Sequence, residues 1–263
     1  MTHALLVNAA VLAIAMLALW RVAVRIGDVS FIDAVWAGGM ASLALLSLAQ
    51  VGTNAPLRAW LIAAATVLWG ARLATHLYRR WREQGEDLRY ARILAKAKAE
   101  GKFARAALTT VFAMQAVLLY VTCLPAQLGI LTPGNDAAGP LLAAGTLLWL
   151  VGFAFESVGD AQLARFRADP ANAGKVLDTG LWRYTRHPNY FGDTCVWWGI
   201  WLMAADAGAA TAVASAIGPL FLTFTLTQWS GKPMLERGMA KRRPDYADYV
   251  RRTSGFIPLP PKK

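Results

Sequence analysis

Long stretches of this chain are apolar almost without interruption, and short polar segments separate them. A helix needs about 20 mostly apolar residues to cross a bilayer. The runs Ala4–Trp20, Phe31–Val51, Leu57–Leu77, Ala106–Leu124, Leu141–Phe155 and Ala209–Trp229 follow that pattern, and Thr194–Ala205 is a shorter seventh that Tyr190 and Phe191 extend toward the interface. The pattern predicts an all-α integral membrane bundle of about seven transmembrane helices.

The basic residues test this layout independently, because loops on the cytoplasmic side collect Lys and Arg. With the N-terminus placed outside, 25 of the 27 basic residues fall on one side; Arg58 falls opposite and Arg72 lies within a span. An even number of spans breaks that alternation, so the expectation is seven spans, N-terminus outside and C-terminus cytoplasmic. Nothing repeats at a fixed period and no Gly/Ser linker divides the chain, so residues 1–263 read as one domain. Met1-Thr-His-Ala has no basic n-region, so no cleavable signal peptide is expected.

Composition agrees: 56% of residues are hydrophobic, 16% are charged, and the mean hydropathy is +0.37. The net charge of +11 sits in strips between apolar runs, which assigns it to a membrane surface and not to nucleic acid. The Ala- and Arg-rich composition suggests a bacterial inner membrane. Cys123 and Cys195 form no CxxC, and the histidines are only at 3, 76 and 187, so neither a disulfide framework nor a metal centre is expected. No GxGxxG after a strand, P-loop or HExxH occurs. The sequence carries no signal of oligomeric state.

Ionisable residues inside apolar spans are costly and mark candidate sites, with snorkelling at a helix end as the alternative reading. Asp33 stands in Ser30-Phe-Ile-Asp33 at the start of the second span. Arg72 and His76 share a helical face on the third. Glu156 and Asp160 close the fifth and lead into Arg165 and Arg167. In Gly85-Glu-Asp-Leu-Arg-Tyr90, acids and bases alternate beside an aromatic, which suits a polar pocket better than a purely lipid-facing strip.

The densest polar segment is Asp178-Thr-Gly-Leu-Trp-Arg-Tyr-Thr-Arg-His-Pro-Asn-Tyr-Phe-Gly-Asp193. Pro188 disfavours helix at His187 and fits the first turn of the sixth span. A cytoplasmic helix N-terminus beside Arg183, Arg186 and His187 is suited to anions. Trp182, Tyr184, Tyr190 and Trp197 offer faces for a planar ring. Together these suit a nucleotide or another phosphorylated cofactor; an interfacial aromatic belt is the alternative. The tail adds Lys232, Glu236, Tyr246 and Tyr249, while Lys241–Arg243 reads as a basic surface strip.

These segments resemble the steroid 5-alpha-reductase family in its bacterial branch. The resemblance rests on Thr179–Asp193, Pro244-Asp-Tyr-Ala-Asp-Tyr249, Thr253-Ser-Gly-Phe-Ile-Pro258, Gly85–Tyr90 and Ser30–Asp33, and runs from about residue 30 to the end. It implies an NADPH-dependent reductase of a conjugated ketone, with residues 1–131 on the substrate side and 141–258 on the cofactor side. Asp160, Arg167, Asn189, Tyr190, Gly192 and Asp193 fall on the family's cofactor positions. Asp193 replaces its Glu and shortens the reach by one methylene. Lys232 and Glu236 share the four-residue spacing of a family His and Tyr. Arg167, Arg183 and Arg186 are the candidates for the 2′-phosphate, and Arg165 is a further cofactor-binding candidate.

The resemblance also implies an acid and a tyrosine that stabilise the developing enolate. Asp33 is the candidate acid, Tyr78 and Tyr90 are the candidate tyrosines, and His76 is a possible substitute. The substrate implied is a hydrophobic, steroid- or lipid-like enone entering from the bilayer. Two rivals stand beside this reading. One is a membrane methyltransferase of the isoprenylcysteine carboxyl methyltransferase type using S-adenosylmethionine, a cofactor with no phosphate to engage the arginines. The other is a non-enzymatic lipid-binding protein.

Overall fold

The computed structural model describes residues 1–134, 138–229, 231–237, 239 and 243–262. Among these the architecture is all-helical, with a single isolated bridge between Thr185 and Ser254. In chain order come α1 (Thr2–Ile26), α2 (Ile32–Val51), α3 (Leu57–Gln84), α4 (Leu88–Ala99), α5 (Phe103–Thr122), α6 (Leu124–Leu131), α7 (Pro140–Ala168) and α8 (Pro188–Ala205). They are followed by α9 (Ala209–Ser215), α10 (Ile217–Phe224), α11 (Lys232–Glu236) and α12 (Tyr246–Arg252). A π-helical turn interrupts α5 at Ala107–Phe112, and another follows α10 at Thr225–Trp229.

Among the described residues, six helical runs are long and apolar enough to cross a membrane: α1, α2, α3, α5, α7 and Ala209–Glu236. The protein is therefore a multi-pass helical membrane protein. The expected sixth span lies in α8, which begins at Pro188 as the sequence predicts but is not among the six. Asn189 and Asp193 in its first two turns dilute its apolar character.

Two helices continue well past their apolar runs. The 28 residues of α3 span about 42 Å and the 29 of α7 about 44 Å, against a hydrocarbon core of roughly 30 Å. Tyr78, Arg79 and Arg80 are thus helical residues of α3, not parts of a loop, and Gly85 ends that helix at φ 73°. Arg165 and Arg167 likewise belong to the last turn of α7. Most of the remaining segment up to Ala99 is the amphipathic helix α4.

The chain forms two compact units. One comprises residues 1–139 and 204–217; the other comprises 140–203 and 218–263. In the first, α2 and α3 approach closely at Gly70, where an added Cβ would lie 2.7 Å from the Ala37 carbonyl oxygen. Interhelical hydrogen bonds supplement this packing, as expected where lipid replaces water. Fully buried Asn8 donates to Ser47 at 2.8 Å and Gln127 at 2.9 Å, and accepts from Gln50 at 2.7 Å. Arg58, expected in a loop, lies in the first turn of α3. It is buried, and its guanidinium donates to the carbonyls of Gly129 (3.2 Å) and Thr132 (2.7 Å).

In the second unit, glycines recur every seventh residue at Gly145, Gly152 and Gly159 of α7 and at Gly192 and Gly199 of α8. This local period qualifies the expectation that nothing repeats. A Cβ on Gly152 would lie 2.5 Å from the Val196 nitrogen, and one on Gly199 would lie 2.7 Å from the Gly145 carbonyl oxygen. The two backbones therefore touch, an arrangement that small residues permit between membrane helices.

Candidate functional site

The first unit gathers an acid–phenol cluster where α2, α3 and α4 meet. Asp28 accepts from the Ser30 amide at 2.7 Å and from the Trp81 indole at 2.7 Å, fixing the turn into α2. The Ser30 hydroxyl accepts from the Asp87 amide at 2.8 Å, and Asp87 caps α4 by accepting from the Arg89 amide at 2.8 Å. That start of α4 directs Arg89 and Tyr90 at Asp33. Arg89 Nη2 lies 2.6 Å from Asp33 Oδ2, the Tyr90 hydroxyl donates to Asp33 Oδ1 at 2.7 Å, and Arg80 stands 3.6 Å from Oδ2.

Charge and burial set the protonation of this cluster. Burial raises the Tyr90 phenol well above its ordinary value, and the Asp33 carboxylate adds to the effect. Burial alone would raise Asp28 and Asp87 too. At Asp28 the Trp81 and Ser30 hydrogen bonds outweigh it, and at Asp87 the Arg89 contacts do, so both carboxyls are lowered.

Of the four catalytic candidates, Asp33 and Tyr90 are brought together. Tyr78 packs its ring on Trp81 at 5.6 Å and is half exposed. His76 sits one turn before Arg80 on α3, on the face that also carries Arg72. Arg89 and Asp87 complete the cluster; both lie in the Gly85–Tyr90 segment whose sequence suits a polar pocket, though neither is among the candidate site residues.

The second unit gathers the candidates from Asp160 to Tyr249. Asn189, in the first turn of α8, donates to Asp160 Oδ1 on α7 at 3.1 Å and accepts from the Tyr190 amide at 3.1 Å. Glu236 is shared by Arg186 Nε (3.0 Å) and His187 Nε2 (2.9 Å), and the His187 ring stacks on Tyr190 at 5.3 Å. Arg186 Nη1 also donates to the carbonyls of Thr253 (2.7 Å) and Val250 (3.3 Å), and the Arg186 amide donates to Ser254 at 2.9 Å. Arg186 thus spends its guanidinium on holding the tail. Tyr249 does similar work, donating to the Trp182 carbonyl at 2.5 Å.

Tyr246 and Tyr249 are buried with rings 6.1 Å apart. Burial, assisted by Glu236, pushes the Tyr246 phenol up to about 12, and burial raises Tyr249 as well. Lys232 lies against the tail, where a Cβ on Gly255 would stand 2.6 Å from its Nζ and 3.2 Å from Arg186 Nη2. Gly192 packs on α7, and a Cβ there would lie 2.6 Å from the Gly152 carbonyl oxygen. Asp193 is buried within α8.

Arg165, Arg167 and Arg183 remain exposed. Arg167 shares a cavity of about 220 Å³ with Arg243, Asp169 and Asn172. Arg243 therefore lines a cleft beside α7, while Lys241 and Arg242 of the same strip lie outside the described residues. Among the described residues, the buried hydroxyls of Ser157, Thr194 and Thr225 have no hydrogen-bond partner. A buried polar group without a partner is costly, and none of these three hydroxyls lines the cleft that Arg167 and Arg243 share.

The chain is similar to the uncharacterized protein C594.04c of Schizosaccharomyces pombe, with 23% identity covering 91% of this chain and 75% of that protein. A shorter stretch of 64 residues is 38% identical to the probable O-methyltransferase ustE of Ustilaginoidea virens, covering 24% of this chain and 22% of that protein. No solved structure matches. A family model described as a protein of unknown function matches residues 19–253, and by that span the chain belongs to the DUF1295 family.

Proposed function

We propose that the protein is an NADPH-dependent membrane reductase of the C=C bond of a conjugated ketone, of the steroid 5-alpha-reductase kind, acting on a steroid- or lipid-like substrate. The observation that carries this reading is the cleft lined by Arg167 and Arg243 at the end of α7. Two guanidinium groups in one cleft suit the phosphates of a dinucleotide. NADPH, when bound, supplies the hydride for the enone β-carbon.

The chain's own residues take the remaining roles. Arg165, Arg167, Arg183 and Arg243 hold phosphate. The Asp160–Asn189 pair and the hydroxyls of Ser157, Thr194 and Thr225 offer hydrogen bonds to the polar groups of the cofactor. Tyr90, kept neutral by burial and by Asp33, is a donor for negative charge developing on the carbonyl oxygen. Arg186, His187, Glu236, Tyr246 and Tyr249 keep the tail in place around the cofactor residues.

In this reading α8 is the seventh span, its 18 residues covering about 27 Å. The N-terminus lies outside and the C-terminus in the cytoplasm of a bacterial inner membrane. The match to a protein named a probable O-methyltransferase favours a second reading, in which S-adenosylmethionine occupies the same unit.

A thermal-shift titration of the detergent-purified protein with NADPH, NADH and S-adenosylmethionine separates the two, because a ligand of the folded state raises the melting temperature. Stabilisation by NADPH that Arg167→Ala weakens supports the reductase. Stabilisation by S-adenosylmethionine alone overturns it in favour of methyl transfer.

A further inference from the structure

The amphipathic helix α4 has work to do on its inner face only. Tyr90 and Leu94 are buried there, and the Lys98–Glu86 pair at 2.7 Å ties the helix to the preceding turn. The outer face is built differently. With about 100° of rotation per residue, Leu88, Arg92 and Lys96 fall within roughly 80° of one another, and Ile93 borders them. Leu88 is 69% exposed and Ile93 53% exposed, so two large apolar side chains flank two cations.

These cations differ from their neighbours. Arg89 is engaged by Asp33 and Asp87, and Lys102 by Glu100 at 2.9 Å. Among the described residues Arg92 has no ion pair. Lys96 approaches Glu100 only at 3.8 Å, with 89% of its side chain exposed. The helix connects α3 to α5, two of the runs that can cross a membrane, and its Arg89 and Tyr90 contact Asp33 in the first turn of α2, which places it near the level where α2 enters the hydrocarbon. Arg79 and Arg82 add exposed positive charge at the end of α3.

We propose that the outer face of α4 docks on an anionic phospholipid leaflet, with Arg92 and Lys96 against the phosphates and Leu88 and Ile93 in the acyl boundary. Charge complementarity selects this occupant. The face presents one cation without an ion pair, Arg92, and one held only at 3.8 Å, Lys96, between apolar side chains, and an anionic membrane surface offers phosphate above hydrocarbon. The proposal does not depend on the reductase reading.

The test is hydrogen exchange of residues 88–99 in the full-length protein, reconstituted in nanodiscs of phosphatidylcholine alone or mixed with phosphatidylglycerol. Exchange should slow in the anionic discs by about fivefold for each cation engaged. The slowing should disappear in about 1 M salt, where the screening length falls to roughly 3 Å. The double variant R92Q/K96Q should lose the difference between the two lipids while α2 and α3 stay as protected as in the parent chain. Equal exchange in both lipids, slowing that survives salt, or slowing retained in a folded variant would each overturn the proposal. Should the variant not fold, the salt series on the parent chain decides alone.

Discussion

Tyr90 donates its hydroxyl to Asp33 at 2.7 Å, joining the first turn of α4 to the first turn of α2 across 57 residues of sequence. The acid is thereby held by a phenol on one oxygen and by Arg89 on the other. A neutral donor and a fixed carboxylate sit side by side, with α4 as their support.

Removing the phenolic donor tests that arrangement. Tyr90→Phe should cost about 1.5–3 kcal/mol, the usual range for a hydrogen bond to a charged group. In the proposed reaction it should lower turnover and leave NADPH affinity unchanged, and Asp33→Asn should do the same. Steady-state kinetics beside a cofactor-binding isotherm separates the two effects. Loss of affinity instead would place this cluster at the nucleotide.

The same cluster predicts how stability varies with pH. Asp28 and Asp87 titrate below their ordinary 3.8 when folded, so they stabilise the fold above that pH and the contribution is lost as pH falls below it. Tyr90 and Tyr246 titrate above their ordinary 10.0, and Tyr246 does so at about 12. Their contribution is complete below pH 10 and declines above it; that of Tyr246 is gone once pH passes about 12, and that of Tyr90 only at higher pH. Melting temperature followed across pH should therefore fall at both ends. The acid limb should shrink in Asp87→Asn, and the alkaline limb in Tyr246→Phe.

Much of this was legible in the sequence, for physical reasons that also explain what was not. The apolar runs declare themselves because a bilayer fixes the length of a crossing helix. Asp33 stood out as an acid beginning such a run, and Asn189 and Asp160 through a motif. Of the partners of Asp33, Tyr90 is itself a sequence candidate, whereas Arg80 was less visible, because α3 continues as helix to Gln84 after its apolar run ends at Leu77, and helicity there has no hydropathy signal. The pairing of Thr185 with Ser254 joins two irregular segments by one bridge, so it leaves no periodic trace. Glu236 was marked by its spacing from Lys232, whereas its contacts are with Arg186 and His187.

The Arg186–Glu236 contact predicts a tail phenotype. Arg186→Lys keeps the charge but loses the forked donors that reach Glu236 and the Thr253 carbonyl together. The segment after Arg252 should then become accessible to protease before the helices melt. Glu236→Gln should do so more mildly, because it can keep one of its two partners. Limited proteolysis followed by intact mass measurement reads both.

The glycine positions predict a graded series. A Cβ on Gly152 or Gly199 meets backbone, which cannot yield, and the cost should reach about 1–3 kcal/mol for each alanine. Gly159 has its nearest neighbour at 3.2 Å, on the Pro188 ring, so Gly159→Ala should cost less. Thermal unfolding of the three alanine variants in one detergent gives the order directly. Equal melting temperatures would mean that α7 and α8 can separate freely.

Backbone contact between α7 and α8 has a consequence for traffic. Where two helices meet at glycine every second turn, no gap remains along their seam for a molecule arriving through the bilayer. A sterol-sized visitor therefore cannot slip between α7 and α8. That side of the second unit is a wall, and in the proposed reading a lipid-borne substrate finds its doorway along some other pair of helices.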